Sequence, residues 1–397
     1  GTGDAAVAIG LNTSATMQNG VAIGHGAKNT SQSSVAIGEA AVSSKDMDVA
    51  IGKKAEATGG EALAFGSSSK ASHEATIAVG KEANASRSSA IAVGYQSVAS
   101  HNNVVAVGKN AAATAENAIA VGLRSAASGT RAVSVGAGTK ATGNQSLAAG
   151  FTANAVSDNS IAQGNAAVSQ KESDIAIGTN SVANGTRKSQ TSCENTGKTN
   201  PSLPGGSTGA ACEEGTAIAV GKTSNATGYS AISVGKDSSA LYDHAIAIGD
   251  SANATHIHSV AIGSAAKGLN DGAFAGGYNA TALAKNSLAL GFNSQSNQEG
   301  DVALGAHSIT EAAVPTANIT IAGKTIEFAG KEPTSVVSVG RPDAERQIQN
   351  VAAGRISDTS TDAINGSQLY AVVNNLSPFV FEGHEDTATS PALGTYT

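Results

Sequence analysis

Two short motifs place residues capable of chemistry at close spacing. His256-Ile257-His258 sets two imidazoles two residues apart, which could flank a metal ion. Because no third ligand is evident, a solvated turn is the favoured interpretation and the sequence predicts no metal site. The run from Gly136 to Ala141 matches the dinucleotide fingerprint G-x-G-x-x-A, but no helical segment follows it. The sequence therefore predicts no cofactor and, since no activated nucleophile stands out, no enzyme.

Basic side chains recur at one position of a periodic pattern. Lys45, His73, Arg87 and His101 each lie seven residues after a glycine that recurs every fourteen residues, and Gly59 occupies the same position between the first two. Stacked coils would align these side chains as a mildly basic ridge, which makes them candidates for ligand binding. The alternative is a column of ordinary solvated turn residues.

Cys193 and Cys212 bracket a stretch rich in Pro, Gly, Ser and Thr. A disulfide between them would stabilise the loop by about 3 kcal/mol in the chain-entropy model, and would indicate an oxidising compartment. Two unpaired thiols are the alternative, and pairing within or between subunits stays open. Residues 186–214 depart from the repeat, so we expect them to hold the most specialised recognition element. Its candidate ligand-binding residues are Thr186, Arg187, Lys188, Asn195, Lys198 and Asn200.

The scaffold that positions these candidate residues is built from a strict sequence repeat. Glycines recur at a step of fourteen from Gly10 to Gly178 and again from Gly221 to Gly305, nearly all after a large–small–large run such as Val35-Ala36-Ile37. A repeat this short is one coil of a solenoid that must stack on its neighbours. A second alternation of small residues, such as Ala55 and Ala57, predicts a second strand. Each coil would hold two strands of about five residues, two tight turns and no helix.

The repeat also predicts an inside and an outside. Because side chains alternate along a strand, we expect the large aliphatics to fill the core and the small residue between them to face other chains. The glycine is expected at a corner, with a positive φ. Two large aliphatics per coil bury little apolar area, so we predict an obligate oligomer.

Composition excludes several classes of protein. Aromatic residues make up 3% of the 397 residues and tryptophan is absent, which is too little bulk for an ordinary globular enzyme of this length. The net charge of −7 disfavours nucleic-acid binding, which needs a basic surface. No apolar run approaches the roughly 20 residues of a membrane span, and no signal segment is present. Because the chain begins inside a repeat, we expect it to be a piece of a longer protein.

The repeated motif Ser34-Val35-Ala36-Ile37-Gly38 resembles the head repeat of the trimeric autotransporter adhesins, the family typified by the Yersinia adhesin YadA. Residues 336–340, 346–354 and 361–369 resemble that family's neck. The resemblance implies an all-β fold, a left-handed parallel β-roll in each of three subunits, followed by a short neck leading to an α-helical coiled coil. It also implies a Gram-negative cell surface, a membrane anchor outside this fragment, and adhesion to host extracellular matrix, cell receptors or other bacteria.

The neck can also be interpreted from its residues. We expect a helix from Asp343 to Gln349, and Leu369, Val372 and Leu376 have the spacing of an a/d seam. Two alternating runs around Ala322-Gly323-Lys324 predict a β-hairpin that caps the roll. The neck residues expected to hold the homotrimer together are Val339, Gly340, Arg346, Gln347, Ile348, Val351, Ala352, Ile364, Asn365, Leu369, Val372 and Leu376.

These patterns divide the chain into six segments: head repeats (1–185), an inserted loop (186–214), further head repeats (215–313), a hairpin (314–335), the neck and coiled-coil start (336–376) and the start of another domain (377–397). The repeat pattern disfavours two other classes of solenoid. β-Helix acyltransferases have hexapeptide repeats, and ice-binding solenoids need flat ranks of threonine; neither pattern occurs here. A purely structural spacer, with the binding site elsewhere, is the remaining alternative to an adhesin.

Overall fold

The computed structural model describes residues 2–185, 215–321 and 323–375. It divides into two compact units, which are described separately. The first unit, Gly1–Glu311 with Ser335–Arg341, holds the repeats. The second, Ala312–Thr334 with Pro342–Thr397, holds the hairpin and the part of the neck from Pro342 onward.

The first unit is a roll in which each coil contributes one strand to each of two parallel sheets. Neighbouring coils pair in register at a step of fourteen residues, as in Ile91 with Val105 and Ala92 with Ala106. The three-residue strands are Val7–Ile9, Val21–Ile23, Val35–Ile37, Val49–Ile51, Leu63–Phe65, Ile77–Val79, Ile91–Val93, Val105–Val107, Ile119–Val121, Val133–Val135, Leu147–Ala149, Ile161–Gln163, Ile175–Ile177, Ile218–Val220, Ile232–Val234, Ile246–Ile248, Val260–Ile262, Phe274–Gly276, Leu288–Leu290 and Val302–Leu304.

The second sheet is built from two-residue strands. They are Ser14–Ala15, Lys28–Asn29, Val42–Ser43, Glu56–Ala57, Lys70–Ala71, Asn84–Ala85, Val98–Ala99, Ala112–Ala113, Ala126–Ala127, Lys140–Ala141, Asn154–Ala155, Val168–Ser169, Val182–Ala183, Asn225–Ala226, Ser239–Ala240, Asn253–Ala254, Lys267–Gly268, Thr281–Ala282 and Gln295–Ser296. The first sheet gains a last strand, Val337–Ser338, paired with Val302–Leu304. The predicted all-β parallel solenoid is therefore confirmed. Its strands are shorter than expected because the corners occupy more of each coil.

The repeat glycine allows the coils to stack closely. Gly52 has φ 135°, a region almost restricted to glycine. A Cβ added there would lie 2.6 Å from the carbonyl oxygen of Gly66 in the next coil. A side chain at this corner would therefore push two coils apart.

The interior of the roll is filled by small side chains. In the coil that follows Gly94, the inward-facing residues Ser97, Ala99, Val104 and Ala106 are all fully buried. The prediction that the large aliphatics form the core is thus wrong, and so is the prediction that the small residue between them faces outward. A coil of fourteen residues encloses too narrow a space for large side chains, so the alanines point inward and the aliphatics point out.

This arrangement predicts very different costs for the same substitution at two adjacent alanines. Ala113 is fully buried, whereas Ala112 of the same strand points outward and is partly exposed. Ala113→Leu is expected to overpack the interior and to lower the free energy of unfolding by about 1–3 kcal/mol. Ala112→Leu should change it by no more than about 0.5 kcal/mol. Chemical denaturation followed by circular dichroism measures both, and equal costs would contradict the inward orientation of Ala113.

The second unit contains a hairpin and one helix among its described residues. Strands Asn318–Ile321 and Lys324–Glu327 pair antiparallel around Gly323, which confirms the predicted hairpin; its capping role stays a prediction. The helix is Gly366–Asn375. The helix expected from Asp343 to Gln349 is absent, because a segment this short is unstable without tertiary packing and Asp343 and Asn350 have φ near 60°.

Candidate functional site

The roll continues without a break on either side of the inserted segment 186–214. Ile175 pairs with Ile218, and Val182 pairs with Asn225, in the same register as in every regular coil. The chain therefore leaves the roll and re-enters it at the same corner. The candidate residues Thr186, Arg187, Lys188, Asn195, Lys198 and Asn200, together with Cys193 and Cys212, lie outside the described residues, so the loop and its disulfide stay predictions.

A buried carboxylate holds both ends of this opening. Asp174 is fully buried, and its Oδ1 accepts hydrogen bonds from the backbone N–H of Ala217 (2.8 Å) and Gly185 (3.3 Å). Its Oδ2 accepts from Lys171 N–H at 2.9 Å. Burial raises the pKa of Asp174, and the bonds from these N–H groups oppose that rise. The sequence analysis did not identify this residue, although an Asp directly before an aliphatic-Ala-aliphatic-Gly run was visible in it.

The predicted basic ridge is partly assembled. Lys45, Arg87 and His101 are exposed at the same corner of their respective coils. Arg87 Nη1 lies 3.4 Å from His73 Nε2 across one coil step. The missing side chains of Gly59 and Gly60 leave an open notch of about 450 Å³ between Lys45 and His73. Three acidic residues, Asp46, Glu61 and Glu74, also line it, so the surface is of mixed charge rather than basic.

A second corner surface carries rings rather than charges. Beyond the insertion, His258 stacks on His244 (centroids 4.9 Å apart), and His256 stacks on Tyr242 at 5.7 Å. Tyr229 meets His244 edge to face at 5.3 Å. His256 and His258 thus stack on different neighbours and do not converge on a metal. The sequence analysis missed this cluster, although its members recur seven to nine residues after successive repeat glycines.

The outward aliphatics form a third surface, the aliphatic face, which consists of the residues three and one before each repeat glycine. Ile9, Phe65 and Leu304 are examples, at 58%, 51% and 45% exposure. Such a long apolar stripe is unusual on a monomer, where exposed apolar patches are small. It is suited to burial against another protein surface.

The neck helix begins with a reciprocal cap. Asn365 Oδ1 accepts the N–H of Gln368 at 3.3 Å, and Gln368 Oε1 accepts the N–H of Asn365 at 3.2 Å. Asn365 Nδ2 also donates to the carbonyl of Val351, and Gln368 Nε2 to that of Gly354. The cap therefore ties the start of the helix to the extended chain before it.

The predicted neck contacts can be located in the described residues. Ile348, Ile364, Leu369 and Val372 are exposed by 48–69% within one chain. Val351 and Asn365 are partly buried, and Leu376 lies outside the described residues. The roles of these residues, and of Val339, Gly340, Arg346, Gln347 and Ala352, in joining subunits stay predictions.

An exposed ion pair in the neck predicts a pH-dependent contact. Arg355 donates to both carboxylate oxygens of Asp362, at 2.8 and 3.0 Å. These bonds lower the pKa of Asp362 below its ordinary 3.8. Because the folded pKa is lowered, the contribution of the pair is complete above the ordinary pKa and is lost as the pH falls through the lowered value. Carboxyl NMR should show Asp362 titrating below 3.8. Arg355→Gln should raise that midpoint and Lys331→Gln should not; an unmoved midpoint in Arg355→Gln would contradict the assignment.

Metal clusters and membrane-spanning helices add no candidate site within the described residues. Within 2–185, 215–321 and 323–375, no group of three or more His, Cys, Asp or Glu side chains is arranged to hold a metal ion. In the same described ranges, no helix has the length and apolar character needed to cross a bilayer. The fingerprint from Gly136 to Ala141 is a coil corner, where Thr139 Oγ1 donates to the carbonyl of Gly136 at 3.0 Å.

Comparison with known families assigns the roll and the neck to the same family of proteins. The signature described as "YadA head domain repeat" matches residues 2–27, 30–55, 57–83, 88–111, 113–139, 141–167, 169–187, 243–266, 271–294 and 282–308, which is more than half of the chain. The chain belongs to the YadA-like trimeric autotransporter adhesins. The signature described as "Coiled stalk of trimeric autotransporter adhesin" matches residues 347–378 of this adhesin.

Individual relatives match between 19% and 66% of the chain. The autotransporter adhesin BtaE of Brucella suis is 54% identical over 80 residues, which is 19% of this chain and 11% of that protein. The C-terminal YadA-like domain of BPSL2063 from Burkholderia pseudomallei is 52% identical, over 24% of this chain and 45% of that structure, with a TM-score of 0.23. The collagen-binding domain of Yersinia adhesin YadA is 19% identical, over 66% of this chain and 85% of that structure, with a TM-score of 0.19.

Proposed function

We propose that this chain is the head and neck of a bacterial surface adhesin that attaches the cell to host extracellular matrix or cell receptors, or to other bacteria. The observation that carries this proposal is the match of the head-repeat signature along most of the roll, followed by the stalk signature at the neck. The corner surfaces support it, since they present charged and aromatic side chains to solvent. Binding without turnover is the corresponding mechanism, and a purely structural spacer is the less favoured alternative.

We also propose that the head is a homotrimer in which the aliphatic face is buried between subunits. The alanine interior is already closed within one chain, whereas Val105 and Val107 are only partly buried in it. Burying apolar surface contributes roughly 25 cal/mol per Å², so a stripe repeated in every coil stabilises association strongly. The location that goes with this assembly is the outer surface of a Gram-negative cell, with the membrane anchor in another part of the protein.

The proposed recognition role of residues 186–214 can be tested by a deletion that preserves the register. Joining Gly185 directly to Gly215 leaves the four-residue corner Gly185-Gly215-Thr216-Ala217 and restores the step of fourteen between Gly178 and Gly221. The deleted trimer should keep its circular dichroism spectrum and lose at least about tenfold in affinity, or 1.4 kcal/mol, for whichever matrix protein or receptor the intact trimer binds in a screen.

Two further variants decide where binding lies if the deletion leaves it unchanged. Lys45→Ser with Arg87→Ser removes charges from the basic ridge, and Lys222→Ser with Lys109→Ser removes the same charge from other exposed positions. A selective loss in the first variant would move the site to the ridge. If the intact trimer binds no member of a broad panel of host proteins or bacterial surfaces, the spacer interpretation replaces the adhesin head.

A further inference from the structure

Three aspartates occupy equivalent positions in the interior of the roll. Asp48, Asp174 and Asp301 each lie four residues before a repeat glycine and are at most 1% exposed. They are the charged side chains found among the buried residues of the described part of the chain. In other coils this position holds Ala, Ser, Thr, Gly or Val. Because burying a carboxylate is costly unless it is hydrogen-bonded, each aspartate needs a structural reason.

The reason lies in the corner that follows each aspartate. In most coils, the N–H at this position donates to the carbonyl three residues earlier, as Ala118 does to Ala115 (3.1 Å) and Ala132 to Gly129 (3.0 Å); Ser34, Thr76 and Val104 lack this bond. In the coil after an aspartate, the equivalent N–H donates to the carboxylate of the preceding coil instead. These bonds join Ala62 to Asp48 at 3.1 Å, Ala217 to Asp174 at 2.8 Å and Val336 to Asp301 at 2.9 Å.

Two of these aspartates stand where the chain leaves the roll. Asp174 bonds the N–H groups of Gly185 and Ala217, which flank the segment 186–214. Asp301 bonds Val336, where the chain re-enters the roll after residues 312–334. At both places the N–H that a turn carbonyl accepts in most other coils donates to a carboxylate instead. The other carboxylate oxygen accepts an N–H of its own corner, from Lys171 or Gln298.

Asp48 likewise bonds one N–H of its own corner and the equivalent N–H of the next coil, at a corner that carries no insertion. Its further bond goes to Gly60 and not to Gly59, the equivalent of Gly185. Its Oδ2 accepts from Lys45 N–H at 2.9 Å, and its Oδ1 accepts from Gly60 (2.9 Å) and Ala62 (3.1 Å). The corner Gly59-Gly60 therefore does not depend on its own turn carbonyl. The two glycines also leave the notch of about 450 Å³ open at this place.

We propose that the Gly59–Gly60 corner is a third insertion port, at which the roll accepts an additional polypeptide segment without loss of register. A buried aspartate four residues before a repeat glycine marks the coil that precedes such a port. The port is a property of the roll and does not depend on the adhesive function.

The test compares insertions at two corners that share a glycine at the same position. A polar Gly/Ser segment of about 12 residues, which behaves as a flexible chain, is placed between Gly59 and Gly60 or between Gly129 and Thr130. The first insertion should leave the oligomeric state unchanged and lower Tm by no more than a few degrees. The second insertion should cause a decrease in Tm several times larger than the first, because it breaks the bond from Ala132 N–H to the carbonyl of Gly129.

Asp48→Ala, made with and without the insertion, tests whether the Asp48 carboxylate is what allows the Gly59–Gly60 corner to accept the inserted segment. Without the insertion, the carbonyl of Gly59 can replace the carboxylate as acceptor, so the loss in Tm should be small. With the insertion, that carbonyl is displaced and the loss should be clearly larger. Equal losses in the two backgrounds would overturn the proposal, and so would equal damage from insertion at the two corners.

Discussion

A chain carrying Gly52→Ala is expected to lose at least about 2–3 kcal/mol of stability. The added Cβ would lie 2.6 Å from the carbonyl oxygen of Gly66, which belongs to the backbone of the next coil and cannot rotate away. The φ of 135° is also unfavourable for any residue with a Cβ. Chemical denaturation at matched protein concentration, followed by far-ultraviolet circular dichroism, measures the loss.

Gly26→Ala is the matched control for this prediction. Gly26 also has a positive φ, of 69°, but no atom lies within 4 Å of the position that its Cβ would take. Ala40 adopts φ 56° at the same place in the next coil. The control should therefore cost only about 1 kcal/mol. If both variants lose the same stability, backbone conformation rather than contact between coils explains the repeat glycine.

Carboxylates on the aliphatic face are expected to abolish the proposed trimer. Val105→Asp with Val107→Asp places two charges per subunit in the middle of this face. Their burial between subunits would cost several kcal/mol per charge. The sedimentation coefficient at micromolar concentration should fall to that of a monomer.

Asn102→Asp with Asn103→Asp adds the same charge to the exposed corner of the same coil and should leave the trimer intact. Dissociation of both variants would attribute the effect to net charge. A stable trimer from the Val105/Val107 variant would show that subunits meet through a different surface.

The period and the alternation of residue types were sufficient to predict a parallel solenoid, because each depends on neighbours in sequence or one repeat away. The second strand, seen in Ala55 and Ala57, was predicted for the same reason. The side chains that point into the roll could not be predicted in this way, because hydrophobicity alone favours Val and Ile in the interior. The width of a fourteen-residue coil decides the matter and admits only small side chains such as Ala106.

Contacts between segments that are distant in sequence or lie outside the repeat could not be predicted from the sequence pattern. The bond between Asp174 and Ala217 spans 43 residues, and an Asp placed directly before a repeat strand gives no indication of its partner. The prediction of a helix from Asp343 to Gln349 was wrong because helix propensity alone does not determine the structure of so short a segment. The Asn365–Gln368 cap instead starts the helix further along, at a site that side-chain hydrogen bonds define.

In-register pairing at a constant step makes every regular coil interchangeable with the next. Removing or duplicating one whole unit, for instance the stretch between Gly94 and Gly108, leaves each remaining strand opposite an equivalent partner. Recombination between repeats in the coding sequence can therefore lengthen or shorten the protein without redesigning its interior. For the adhesin proposed above, the distance between its recognition surface and the cell can thus evolve separately from the chemistry of that surface.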